Sequence, residues 1–161
     1  MLLWYAAVSV LLVANVFRSA GIDYRIVAVA ALLPLVLDAP FGHFAYFHTL
    51  TFAVVVLVVV MLLGLGRPRL TQRRLLCVPI GVFFGLVLSG AWAGGDAFWW
   101  PLLTTDVGDA ALLPAWWVIG LEELAGLVAC WWLAGQFDLY LPGPRRELWR
   151  TGRLRESTVE P

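Results

Sequence analysis

Residues 49–65, TLTFAVVVLVVVMLLGL, decide the fold: 17 residues, dominated by Val and Leu, with no charge among them. As helix, such a run rises about 25 Å, close to the roughly 30 Å hydrocarbon core of a bilayer. The whole chain matches its most apolar stretch. It is 61% apolar with a mean hydropathy of +0.85, above the roughly 45–50% apolar content of a soluble domain. At 161 residues, with about 20 needed per crossing, four to six helices fill the chain and leave no sizeable aqueous domain.

On the N-terminal side of this span, residues 32–52 read LLPLVLDAPFGHFAYFHTLTF and hold Asp38, His43 and His48 between apolar runs. Before them come 12 apolar residues, 26–37, interrupted by Pro34. These rise only about 18 Å, so the element either crosses with residues 41–47 extending it or dips in and returns. Residues 2–17 are apolar apart from Ser9 and Asn15 and end at Arg18. A signal peptide needs a basic region ahead of its apolar run, and here the run begins at residue 2, so a retained span is expected.

On the C-terminal side, Arg67, Arg69, Arg73 and Arg74 make a basic loop. Residues 75–93 form the next span, containing Pro79. The link 94–109 has three Asp and no Arg, and 110–135 is a long apolar run with Glu122 and Glu123 at its middle. A tail with five Arg follows, and its Pro142-Gly143-Pro144 triplet is expected to stop a helix leaving the membrane. The expected fold is an all-α polytopic transmembrane bundle of about five spans, four if the second is re-entrant. Residues 1–138 make the bundle, and 139–161 a basic cytoplasmic tail lying along an anionic leaflet.

Basic residues in short loops stay cytoplasmic. Five crossings with the N-terminus outside place all 11 basic residues, every one an Arg, on one side of a cell (inner) membrane. Asp38, His43, His48 and the 94–109 link then face the exterior. Trp4, Trp92, Trp99, Trp100, Trp116 and Trp117 are then expected near the outer interface, Trp131 and Trp132 near the inner one. In lipid, helices associate through small residues. Gly81, Gly85 and Ser89 recur at four-residue steps on one face of the 75–93 span, and Ala115, Val118, Ala125, Gly126 and Ala129 surround Glu122 at helical spacing; the two stripes are expected to be matching packing faces. Cys77 and Cys130 lack the spacing of a zinc site or a disulfide framework and read as inert thiols.

A carboxylate at mid-span is costly and often functional. Glu122, on a face of small residues, is the inward candidate for proton relay or catalysis. Glu123, about 100° away, is expected to sit neutral or to find a backbone partner. Asp38, His43 and His48 are candidate metal ligands. They can converge only if 38–48 folds back, because a five-residue helical step separates the two His by about 140°.

The stretch LLPLVLDAPFGHFAYFHTL resembles the opening signature of the inner-membrane metal-dependent hydrolases, also described as membrane-bound LexA-binding hydrolases. In that family an LLP-type run leads to an Asp and then to an H-x4-H-[ST] block, matched here by Asp38, His43, His48 and Thr49. The family's later H-x3-D pair, aligned back from Trp100-Pro101 through Gly94-Gly95, falls on Gly85 and Ser89, so half of the implied ligand set is replaced. The resemblance covers roughly residues 30–105. It implies a shared helical scaffold and an ancestral site for a divalent metal such as zinc. Glu122, level in depth with Gly85, is the candidate substitute for a lost ligand.

Three function classes follow. One is a non-catalytic membrane protein that keeps the scaffold without the site. The others are a metal-dependent hydrolase using Asp38, His43 and His48, and a proton-coupled carrier or subunit built around Glu122. The partners expected are membrane lipid and either a second copy of the chain or another membrane protein; no nucleic-acid partner is expected.

Overall fold

The computed structural model describes residues 1–17, 21–94, 96–104 and 111–154. Arg18, Asp106, Asp109 and Arg155, counted above in the charge pattern, lie outside them. The described residues are helical, with no strand among them; a single bridge joins His43 to Ala111. The helices are α1 (Trp4–Phe17), α2 (Tyr24–Ala31), α3 (Leu33–Asp38), α4 (Leu50–Gly64), α5 (Arg69–Leu88), α6 (Ala91–Gly94), α7 (Asp96–Trp99), α8 (Trp116–Gln136) and α9 (Pro142–Thr151). The first turns of α1, Trp4–Val8, are π-helical.

Local chemistry sets the boundaries. Asp23 caps α2 by accepting the Arg25 amide at 3.3 Å. Pro34 sits in the first turn of α3, where its missing N–H costs nothing. Thr49 caps α4, its hydroxyl accepting the Phe52 amide at 3.0 Å. The Pro142-Gly143-Pro144 triplet does more than stop a helix. After α8 ends at Gln136, Pro142 opens α9, as proline at a first helical position does.

Close contacts fix the helix directions. Cys77 of α5 accepts the amide of Asp23 at 3.3 Å, Gly81 lies against Val27 and Ala30, and Gly85 against Ala31. Residues 23–31 and 77–85 therefore run parallel, one turn matching one turn. Gly64 meets Gln72, while Ala53 shares a core with Val82 and Leu86, so α4 is antiparallel to α5. Met1 meets Glu123, and Leu3 and Trp4 meet Gly126. Asn15 shares a cleft with Gln136. Thus α1 and α8 are parallel. Successive long elements alternate in direction, and α2 with α3 runs alongside α5.

The first turns of α1 lie between α5 and α8: Trp4 Nε1 donates to the Leu88 carbonyl at 3.3 Å, while Leu3 and Trp4 pack on Gly126. The small faces of α5 and α8 therefore do not meet each other. Gly81 and Gly85 receive α2, and Gly126 receives α1.

One end of the bundle carries Asp38, His48, Ser89 and the start of α8. The other carries Asp23, the α4–α5 turn and α9. There Arg25 ion-pairs with Asp23 at 3.1 Å and donates to the Trp149 carbonyl at 2.6 Å. Tyr24 N–H reaches the Gly152 carbonyl at 2.8 Å. The described arginines lie at this end. Two helices, α5 and α8, are long and apolar enough to cross a membrane, and α1 and α4 are shorter apolar helices. Much of the apolar surface is bare: Leu62 of α4 is 61% exposed and Trp131 of α8 is 69% exposed. Apolar surface this extensive marks a face for lipid or for another protein.

Candidate functional site

The segment between α3 and α4 reverses on itself. Asp38 ends α3, the Phe41 amide returns to the Asp38 carbonyl at 2.9 Å, and Gly42 takes a left-handed φ of 73° that favours glycine. Ala45 is extended, and a 3₁₀ turn over Tyr46–His48 leads into the Thr49 cap. This fold-back carries His48 to Asp38, ten residues earlier.

The pair is sealed. Asp38 is 0% exposed and His48 is 1%. His48 Nδ1 lies 2.5 Å from Asp38 Oδ2, the nitrogen being the donor, since a carboxylate only accepts. Oδ2 also accepts the Ala45 amide at 3.1 Å, and Oδ1 accepts the Phe47 amide at 3.4 Å. The imidazole packs on Phe44, ring centroids 4.7 Å apart. The carboxylate thus gathers an imidazole and two backbone N–H groups from the segment that follows it, tying the reversal down. An Asp-oriented His is also the usual support for a base or metal ligand, its Nε2 being the atom such an arrangement presents.

The other expected residues stand apart. His43 is half-buried, with Nδ1 3.1 Å from the Phe44 carbonyl, and its backbone bridges to Ala111. Gly85 cannot accept a side chain without helix separation: a Cβ there would lie 3.0 and 3.1 Å from the carbonyl carbon and Cα of Ala31. The Ser89 hydroxyl donates to the Leu86 carbonyl at 2.7 Å and accepts the Ala91 amide at 3.3 Å, closing α5. Among the described residues no three His, Cys, Asp or Glu side chains are grouped to hold a metal.

Glu122 and Glu123 form a separate cluster with the α-ammonium of Met1. Glu123 pairs with that ammonium and accepts the Leu3 amide at 3.3 Å. Glu122 Oε2 lies 4.0 Å from the ammonium and is buried with no hydrogen-bond partner. The expected backbone partner of Glu123 is therefore Leu3, whereas the ammonium had no signal in the spacing of the sequence. The amides of Ala45 and Phe47 were equally illegible, because every residue but proline carries one.

No protein-family model, curated protein or solved structure matches this chain.

Proposed function

We propose that this chain is a non-catalytic integral membrane protein that crosses the bilayer five times, on a scaffold like that of the membrane metal-dependent hydrolases. In this reading α1, α2 with α3, α4, α5 and α8 are the crossings. The arginine-bearing end and the tail are cytoplasmic, and the Asp38 end faces outward. The alternating helix directions support it, as does the run of bare Val and Leu along α4.

The observation that carries the non-catalytic reading is the sealed Asp38–His48 pair. Both carboxylate oxygens are already occupied by donors from the following turn, and at Gly85, the α5 position that holds a His in the resembled family, the space of a side chain is taken by the Ala31 backbone. Its work is to hold the outer loop. Metal analysis and unfolding of the purified protein and its His48→Ala variant test this. The expected result is lower stability with metal content unchanged from the parent; stoichiometric zinc in the parent that disappears in the variant refutes it.

A second reading, a proton-coupled carrier, draws on the buried Oε2 of Glu122, which has no hydrogen-bond partner. Its test is pH-driven flux in vesicles, abolished by Glu122→Gln.

A further inference from the structure

Between α2 and α8, with α1 as its floor, lies a groove of about 220 Å³. Ala6, Ala7 and Val10 of α1 make the floor, Ala28 of α2 one wall, and Cys130 and Leu133 of α8 the other. No described residue of α4 or α5 lines it, so it opens at the periphery of the bundle. Small side chains make it a recess rather than a bare face. Ala7 and Leu133 are 6% and 7% exposed, against 61% and 69% for Leu62 and Trp131. None of Asp38, His48, Glu122 and Glu123 lines it.

The groove is one leaflet long. It begins at Leu3, which packs on Gly126, the midpoint of α8, and it ends where α8 ends, closed by Leu139, Leu148 and Leu154. From Gly126 to Gln136 a helix rises about 15 Å, half of the roughly 30 Å hydrocarbon core. Its volume lies below the roughly 300 Å³ at which small-molecule pockets begin, which suits a slender chain rather than a ring system. Arg25, at the closed end, is the one charged residue among those lining it. Three of its N–H groups are in use: Nε and Nη2 donate to the Asp23 carboxylate at 3.2 and 3.1 Å, and Nη1 donates to the Trp149 carbonyl. One N–H on each terminal nitrogen is left over. The described arginines all gather at this end, against only Asp23, Asp138 and Glu147 among the described carboxylates there, so the foot of the groove is cationic.

We propose that this groove binds one acyl chain of an acidic phospholipid, a phosphatidylglycerol, from the cytoplasmic leaflet, with the phosphate beside Arg25. The inference rests on the membrane reading above. The chain enters sideways between α2 and α8 and lies on the alanines of α1, its end reaching Leu3 at mid-bilayer. The depth of the recess selects a single leaflet, and the charge at its foot selects the headgroup. A zwitterionic lipid fills the groove equally well and gains less from the arginines.

The test is native mass spectrometry of the protein released from nanodiscs containing equal phosphatidylglycerol, phosphatidylethanolamine and phosphatidylcholine of one acyl composition. Phosphatidylglycerol should be retained over phosphatidylcholine by about fivefold, the scale of one Arg near a headgroup. Ala6→Leu or Ala28→Leu fills the groove and should remove the bound lipid, in variants whose helix content matches the parent. Val58→Leu, on the bare face of α4 where Val58 is 50% exposed, should leave it in place. Asp23→Asn with Arg25→Gln removes the ion pair whole and keeps a capping side chain at 23; it should retain phosphatidylglycerol and phosphatidylcholine equally. Equal retention of the three lipids by the parent overturns the proposal. So does a preference for phosphatidylglycerol that survives filling of the groove, or a loss of lipid as large in Val58→Leu. Failure of the membrane reading is distinguishable, because the protein would then not incorporate into nanodiscs at all.

Discussion

Replacing Gly81 by Ala probes the parallel contact between α2 and α5. A Cβ at Gly81 would stand 2.6 Å from the Val27 carbonyl oxygen and 2.7 Å from the Ala30 Cβ, where ordinary contact begins at 3.4 Å. To restore that separation the helices must part by about 0.8 Å at this level. Both obstructing atoms belong to backbone or to a Cβ, so no flexible side chain can swing away. Overpacking of this kind costs about 1–3 kcal/mol. Against it stands the gain in helix propensity from Gly to Ala, about 1 kcal/mol. In lipid the lost contact is not repaid by apolar burial, since acyl chains are as apolar as the side chains they replace. The net expectation is a loss of up to about 2 kcal/mol, with the helices still formed. Gly120 is the control, because a Cβ there meets nothing within 4 Å; Gly120→Ala should be neutral or stabilising by up to about 1 kcal/mol. Unfolding by sodium dodecyl sulfate in mixed micelles, followed by circular dichroism, measures both. If Gly81→Ala proves as stable as Gly120→Ala, the close approach of α2 to α5 is wrong, and with it the account of why Gly85 excludes a histidine.

Three more outcomes are expected. Asp38→Ala strands the buried His48 ring and two amides, and should cost about 3 kcal/mol in the same unfolding assay, while His43→Ala, outside that network, should change stability by less than about 0.5 kcal/mol. Gly152 has a φ of 73° and the Asp23 carboxylate occupies the space its Cβ would take; Gly152→Ala should release α9 and speed tryptic cleavage at Arg145 and Arg146, an effect absent if α9 is undocked in the parent. With Cys77 and Cys130 replaced, single cysteines at residues 70 and 146 should react with an impermeant maleimide from one face of sealed vesicles and a cysteine at residue 113 from the other; labelling of 70 and 146 from opposite faces would end the five-crossing reading.

The sequence carried the parts of this fold that are local. An uncharged Val and Leu run and small residues four apart are signals of an apolar helix and a packing face: α4 forms over Leu50–Gly64, and Gly81 and Gly85 do receive a helix. Which helix was illegible. The 54-residue offset that sets Asp23 on Cys77 and Ala31 on Gly85 is a tertiary fact with no trace in periodicity, so the matched faces expected for α5 and α8 instead meet α2 and α1. The site was half legible: Asp38 and His48 stand out as polar residues among aromatics, and their meeting required a fold-back that the helical step alone argues against. Ser89 read as part of the packing stripe, yet at the end of α5 its hydroxyl is drawn to local backbone groups, as serine is at helix ends.

The seating of Leu3 and Trp4 on Gly126 has a bearing on biogenesis. It joins two helices more than a hundred residues apart in the chain, so α1 gains this contact only once α8 has been made. A chain interrupted before Trp116 lacks the helix that carries Gly126, and the face of Leu3 and Trp4 that seats on it stays uncovered.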